Sequence, residues 1–95
     1  MKVMFSFDLN SPDGDTCITL YKVHSMPFCP PIGLEMYMDV CEHTVTKVSW
    51  HPRTQELFVK LDGNYFNTRE EATKEVSLFK QYGWYDDRTE HLMGD

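Results

Sequence analysis

The sequence predicts an α+β fold: an antiparallel sheet of four to five strands with one C-terminal helix packed on one face. Three observations lead there. Apolar residues recur at every second position through most of the chain, clusters of turn-forming residues punctuate those runs, and a single late stretch changes to helical spacing behind a capping sequence.

The first run, "KVMFSFDL", sets Val3, Phe5, Phe7 and Leu9 at alternate positions, the period of a half-buried strand. "NSPDGD" then supplies the turn dihedrals and side-chain-to-backbone bonds that reverse a chain. "TCITLYKV" is rich in β-branched and aromatic residues and reads as the second strand. Either Ile18 and Leu20 face inward, with Cys17, Thr19 and Tyr21 outward, or the reverse holds. In "SMPFCPPIG", Pro27, Pro30 and Pro31 remove ladder donors, which makes an irregular loop. "IGLEMYMDV" alternates again and is expected as one strand. Ile32, Leu34, Met36, Met38 and Val40 share one face, and Gly33, Glu35, Tyr37, Asp39 and Cys41 the other.

"TVTKVSW" and "ELFVKL" flank "HPRTQ", which predicts a hairpin with Leu57, Val59 and Leu61 inward, opposite Thr46, Val48 and Trp50. After "DGNYFN" breaks the pattern, Thr68 to Glu71 form a capping box at a helix start. Ala72, Val76 and Phe79 follow at helical spacing, with Leu78 and Tyr82 widening the apolar stripe. Glu70 and Lys74 are an i,i+4 pair, and Gly83 can end the helix in the left-handed conformation. Residues 1–85 are expected as one compact α+β domain, with 86–95 as a polar tail that frays.

Composition narrows the function classes. Fifteen acidic residues against nine basic ones give a net charge of −6 over 95 residues. Such a chain is repelled by phosphate backbones, so nucleic acid is not the expected partner. No apolar run approaches the ~18 residues of a membrane span, and "MKVMFSFDL" alternates where an export signal would run apolar. A cytoplasmic location with reduced thiols and no membrane partner is the matching expectation.

His24, Cys29, Cys41 and His43 fall within one short stretch, which raises the question of a zinc site. The spacing lacks the close Cys-x-x-Cys knuckle of structural zinc, and each residue has an ordinary place at a strand border or in a loop. No Cys-x-x-Cys redox pair, phosphate-binding glycine loop or nucleophile elbow occurs. Asp13, Gly14 and Asp15 lack the further oxygens of a calcium loop. No metal, cofactor or catalytic residue is therefore assigned, and enzyme activity is not expected.

The aromatic and methionine content points elsewhere. Six Phe, five Tyr, two Trp and six Met exceed what a small single-helix core hides readily, and these side chains anchor interfaces. The leading expectation is a small non-enzymatic module that binds another protein or a second copy of itself. The assigned contact residues are Tyr21, Tyr37 and Phe58 on the sheet, with Trp84 and Tyr85 after the helix. The alternative is single-stranded nucleic-acid binding by the same aromatics. A third reading is an acidic mimic of nucleic acid built on Asp86, Asp87 and Glu90, with Arg88 interrupting the cluster.

Overall fold

The computed structural model describes residues 2–38 and 41–86, Cys41 by its backbone alone. Strand β1 (Lys2–Asn10) lies in the interior of a curled mixed sheet, because all four of its alternate apolar residues need cover. Val3, Phe5, Phe7 and Leu9 are fully buried. At about 1.5–3 kcal/mol for each such side chain, that alternation is the largest local reason for β1 to be central.

Strand β2 (Cys17–Ser25) pairs antiparallel with β1 along its whole length, Lys2 opposite Ser25 and Asn10 opposite Cys17. The turn between them is closed from within. Ser11 Oγ donates to Asp13 Oδ1 at 2.6 Å, the Asp15 amide donates to the same oxygen, and the Thr16 amide donates to Ser11 Oγ. The face that the sequence left open is settled: Ile18 and Leu20 are buried.

Strands β3 (Glu35–Met38) and β4 (Cys41–His51) form an antiparallel pair, and β4 continues into a hairpin with β5 (Glu56–Leu61). The expected single strand from Ile32 to Cys41 is corrected here. Gly33 has φ of 92°, a left-handed conformation that favours glycine, and Ile32 is exposed. The strand starts at Glu35, and Cys41 already belongs to the returning strand. The expected placements of Asp39 and Val40 lie outside the described residues. Leu34, Met36 and Met38 do pack inward.

A bulge at Thr46 lets β4 turn over the end of the core. Val45 pairs with Leu61 and Lys47 with Lys60, so Thr46 is the additional residue, and its hydroxyl donates to the Lys60 carbonyl at 3.1 Å. Thr46 is thus exposed, contrary to the inward position expected from uninterrupted alternation. Val48 packs on the core, whereas Trp50, opposite Leu57, reaches past it and is exposed.

The sheet is mixed and has more strands than expected. Its order is β3-β4-β5-β1-β2-β7, where β7 is Tyr85–Asp86, with the two-residue strand β6 (Asn64–Tyr65) also against β1. β5 and β6 both run parallel to β1, and the break between them falls at Asp62 and Gly63. A Cβ at Gly63 would sit 2.7 Å from the Asp8 carbonyl oxygen, so only glycine lets the chain pass β1 this closely.

Helix α1 (Arg69–Lys80) covers one face. Thr68 Oγ1 accepts from the Glu71 amide at 3.1 Å, and Glu71 Oε2 accepts from the Asn67 amide at 2.8 Å, a reciprocal cap one residue wider than the expected box. Ala72, Val76 and Phe79 enter the core, where Phe79 lies 4.9 Å from Phe7 between ring centroids. Gly83, with φ of 94°, turns the chain into the two-residue strand β7 (Tyr85–Asp86), which pairs with β2. Asp86, expected at the head of the tail, is buried in β7 with Lys80 Nζ 3.2 Å from its Oδ2; residues 87–95 of that tail lie outside the described residues.

Candidate functional site

Because α1 and the core occupy one face of the sheet, the other face is left to the alternate residues of each strand. Strand registers decide which of them are neighbours. On β1 they are Met4, Ser6 and Asp8; on β2, Val23, Tyr21 and Thr19; on β5, Phe58 and Lys60. Ser49 and Lys47 of β4 continue those rows on one side, and Tyr85 of β7 closes the other.

The apolar members of this face touch one another in a strip. Tyr21 and Tyr85 are stacked with centroids 5.8 Å apart and planes at 27°. The Tyr85 hydroxyl reaches Met4 Sδ at 3.5 Å, Met4 is the register partner of Phe58, and Phe58 lies 4.4 Å from the His51 ring. The strip crosses β7, β2, β1, β5 and β4 in turn, roughly 19 Å at ordinary strand spacing. Its aromatic members on β2, β5 and β7, Tyr21, Phe58 and Tyr85, are half-buried.

A polar row borders the strip. Thr19 Oγ1 donates to Asp8 Oδ1 at 2.8 Å, and Lys60 Nζ lies 3.1 Å from Asp8 Oδ2. Lys47 stands opposite Lys60 across the β4–β5 pair.

The structure therefore brings Tyr21, Phe58 and Tyr85 together and separates the other two expected contact residues from them. Trp84 lies in the core, edge-on to Phe7 at 4.9 Å and to Phe79 at 5.9 Å. Adjacent strand residues point to opposite faces, so Trp84 and Tyr85 cannot both be outward. Tyr37 is exposed, but it sits on outermost β3, at the far end of the strand order from β7. Met4 and His51 are members that the sequence reading missed. The signal for Met4 was present, since it occupies the outward parity of β1 once Val3 and Phe5 are placed inward.

Among the described residues the side chains of the histidine–cysteine stretch do not gather. His43 is buried, 4.7 Å from the Phe7 ring, with Nδ1 3.3 Å from the Asp62 carbonyl oxygen and 3.5 Å from its Oδ1. Asp62 Oδ1 also accepts from the Thr44 amide at 2.7 Å, so this carboxylate braces the bent start of β4. His24 and Cys29 are exposed, and the Cys41 side chain lies outside the described residues. Among the described residues no group of three or more His, Cys, Asp or Glu side chains is placed to hold a metal ion. The acidic cluster of the mimic reading is also altered, because Asp86 faces Lys80 and is buried; Asp87 and Glu90 lie outside the described residues.

A groove of about 610 Å³ lies between α1 and the start of β2, floored by Ile18, Phe66 and Val76 and rimmed by Arg69 and Lys80. Among the described residues its lining holds threonine and serine hydroxyls but no histidine or cysteine to activate a nucleophile. Among the described residues no helix is long and apolar enough to cross a membrane. No protein-family model, curated protein or solved structure matches this chain.

Proposed function

We propose that this chain is a small non-enzymatic interaction module that binds another protein through the face of the sheet opposite α1. The observation that carries the reading is the strip Tyr85–Tyr21–Met4–Phe58–His51, where side chains of five strands meet on a face that the helix leaves uncovered. Aromatic and methionine side chains bury much area at low conformational cost, the combination that makes interface anchors.

The reading is tested by affinity purification from the producing cells under crosslinking, with wild type beside a Tyr21→Ala, Phe58→Ala double variant. A partner held by wild type and by Tyr65→Ala, an exposed aromatic on β6, but lost from the double variant supports the strip as the contact surface. Equal recovery with all three proteins overturns it.

A second reading, single-stranded nucleic-acid binding, is favoured by one arrangement alone: the rings lie beside Lys47 and Lys60. Bases would stack on the rings and phosphates would meet the lysines. Filter binding of a twelve-residue oligothymidylate tests it, and failure to bind at low salt, where phosphate contacts are strongest, removes it.

A further inference from the structure

The groove between α1 and the start of β2 lies on the side of the sheet that carries the helix, so a ligand there leaves the aromatic strip free. Strand registers fix its two ends. The Phe66 amide donates to the Asn10 carbonyl at 3.0 Å, and Asn10 pairs with Cys17, which brings the start of α1 to the start of β2. At the far end Asp86 pairs with Leu20, and its Oδ2 lies 3.2 Å from Lys80 Nζ on the last turn of the helix. Between the ends, buried Ile18, Ala72 and Val76 make an apolar floor.

Charge is unevenly placed along this groove. Among the described residues three ionic side chains line it: Arg69, Lys80 and Asp86. Lys80 and Asp86 offset each other, which leaves the Arg69 guanidinium as the net charge, at the end where Thr16 stands. Among the described residues the side chains of Arg69, Thr16 and Ser77 have no ion-pair or hydrogen-bond partner within the protein. A chain of net charge −6 thus holds an uncommitted cation and two uncommitted hydroxyls around an apolar floor.

We infer that this groove binds a small amphipathic monoanion, a carboxylate carried on an apolar body. The guanidinium meets the carboxylate through paired N–H donors, and the Thr16 hydroxyl adds a third. The apolar body lies over Ile18, Ala72 and Val76. A volume of about 610 Å³ falls within the ~300–1,000 Å³ of small-molecule sites, and the stretch from Arg69 to Ser77 runs roughly 12 Å along the helix.

The surroundings select a single charge. Asp15, next to Thr16, and Glu70, next to Arg69, are exposed and stand outside the lining. They repel any polyanion that extends past Arg69, so a monocarboxylate suits this end and a phosphate chain does not.

The test uses the full chain and three probes below their micelle concentrations: decanoate, decanol and decyltrimethylammonium. Amide NMR shifts give both the contact and the dissociation constant. The expected result is saturable decanoate shifts at Ile18, Phe66, Thr73 and Val76, with decanol weaker and the cation weakest. Arg69→Gln should lower decanoate affinity about fivefold, the scale of one exposed charged contact, while Lys74→Gln on the opposite flank of α1 leaves it unchanged. Ser77→Trp, which fills the groove from an exposed position, should abolish the shifts and preserve the rest of the spectrum. Decanol binding as tightly as decanoate, or full affinity in Arg69→Gln, overturns the inference. Decanoate shifts centred on Tyr21 and Phe58, or no saturable shifts with any probe, overturn it too. Contacts across the groove from a second copy or another segment of the chain, seen in the protein without probe, also overturn it, because the groove is then already filled.

Discussion

Tyr21 and Tyr85 stack across the β2–β7 pair with ring centroids 5.8 Å apart, although 63 positions in the chain separate them. Among the described residues β7 spans Tyr85–Asp86, and this pair and the buried Asp86 both help to hold it to the sheet. The stack therefore has two consequences: it holds the end of the chain that follows α1, and it builds one end of the aromatic strip.

The first consequence is measurable as a coupling energy. A double-mutant cycle of Tyr21→Ala and Tyr85→Ala should give about 0.5–1.5 kcal/mol by urea denaturation, the range for aromatic pairs. Additive effects would mean that the rings sit side by side without holding β7.

Trp84, one position earlier, behaves differently because strand alternation turns it inward. Trp84→Ala removes a side chain packed on Phe7 and Phe79 and should cost about 3–5 kcal/mol. Tyr37→Ala, on a ring 84% exposed, should change stability by less than about 0.5 kcal/mol. Comparing the two urea midpoints checks the assignment of one ring to the core and the other to the surface.

Gly63 gives a third prediction. A methyl group there meets the Asp8 carbonyl at 2.7 Å, backbone against backbone, so β6 or β1 must shift. Gly63→Ala should destabilise by about 1–3 kcal/mol, the cost of overpacking. Gly14→Ala meets no atom within 4 Å and should cost only its left-handed backbone strain, about 1 kcal/mol. Equal effects in equilibrium unfolding would contradict the close approach of β5–β6 to β1.

The β1–β2 turn supplies a pH-dependent signal. The Ser11 hydroxyl, and after it the Asp15 amide, hold the Asp13 carboxyl below its ordinary range. Its folded value is thus below its unfolded one, so the turn's contribution to stability is complete above the unfolded value and disappears as pH falls through the folded value. NMR titration should place the Asp13 midpoint below that of an unperturbed aspartate, and Ser11→Ala should raise it. A midpoint unmoved by Ser11→Ala would contradict the hydrogen-bonded turn.

What the sequence could and could not disclose follows from the range over which each signal acts. The alternation of Val3 to Leu9, the cap at Thr68 and Glu71, and the left-handed Gly83 are local features, each legible within a few residues. The parallel pairing of β1 with β5 joins positions more than fifty residues apart, and no local pattern encodes it. The chain reversal before Cys41 was hidden because "MYMDVCEH" continues to alternate through it, and the Thr46 bulge because one additional residue leaves no compositional mark. For the candidate site, composition marked only the aromatic surplus, and the strand registers put Tyr21, Phe58 and Tyr85 on one face while Trp84 turned inward. Met4 and His51 required the register, and the facing lysines Lys47 and Lys60 required both the hairpin pairing and the bulge that shifts it.

The central claim is that the strip opposite α1 is the surface this protein uses. Site-specific photo-crosslinking tests it most directly, with a photoreactive phenylalanine analogue placed at position 58 on the strip or at position 65 on β6, in the cells that make the protein. The account predicts a discrete crosslinked adduct with another protein at position 58 and none at position 65. An adduct at 65 and none at 58 would contradict it.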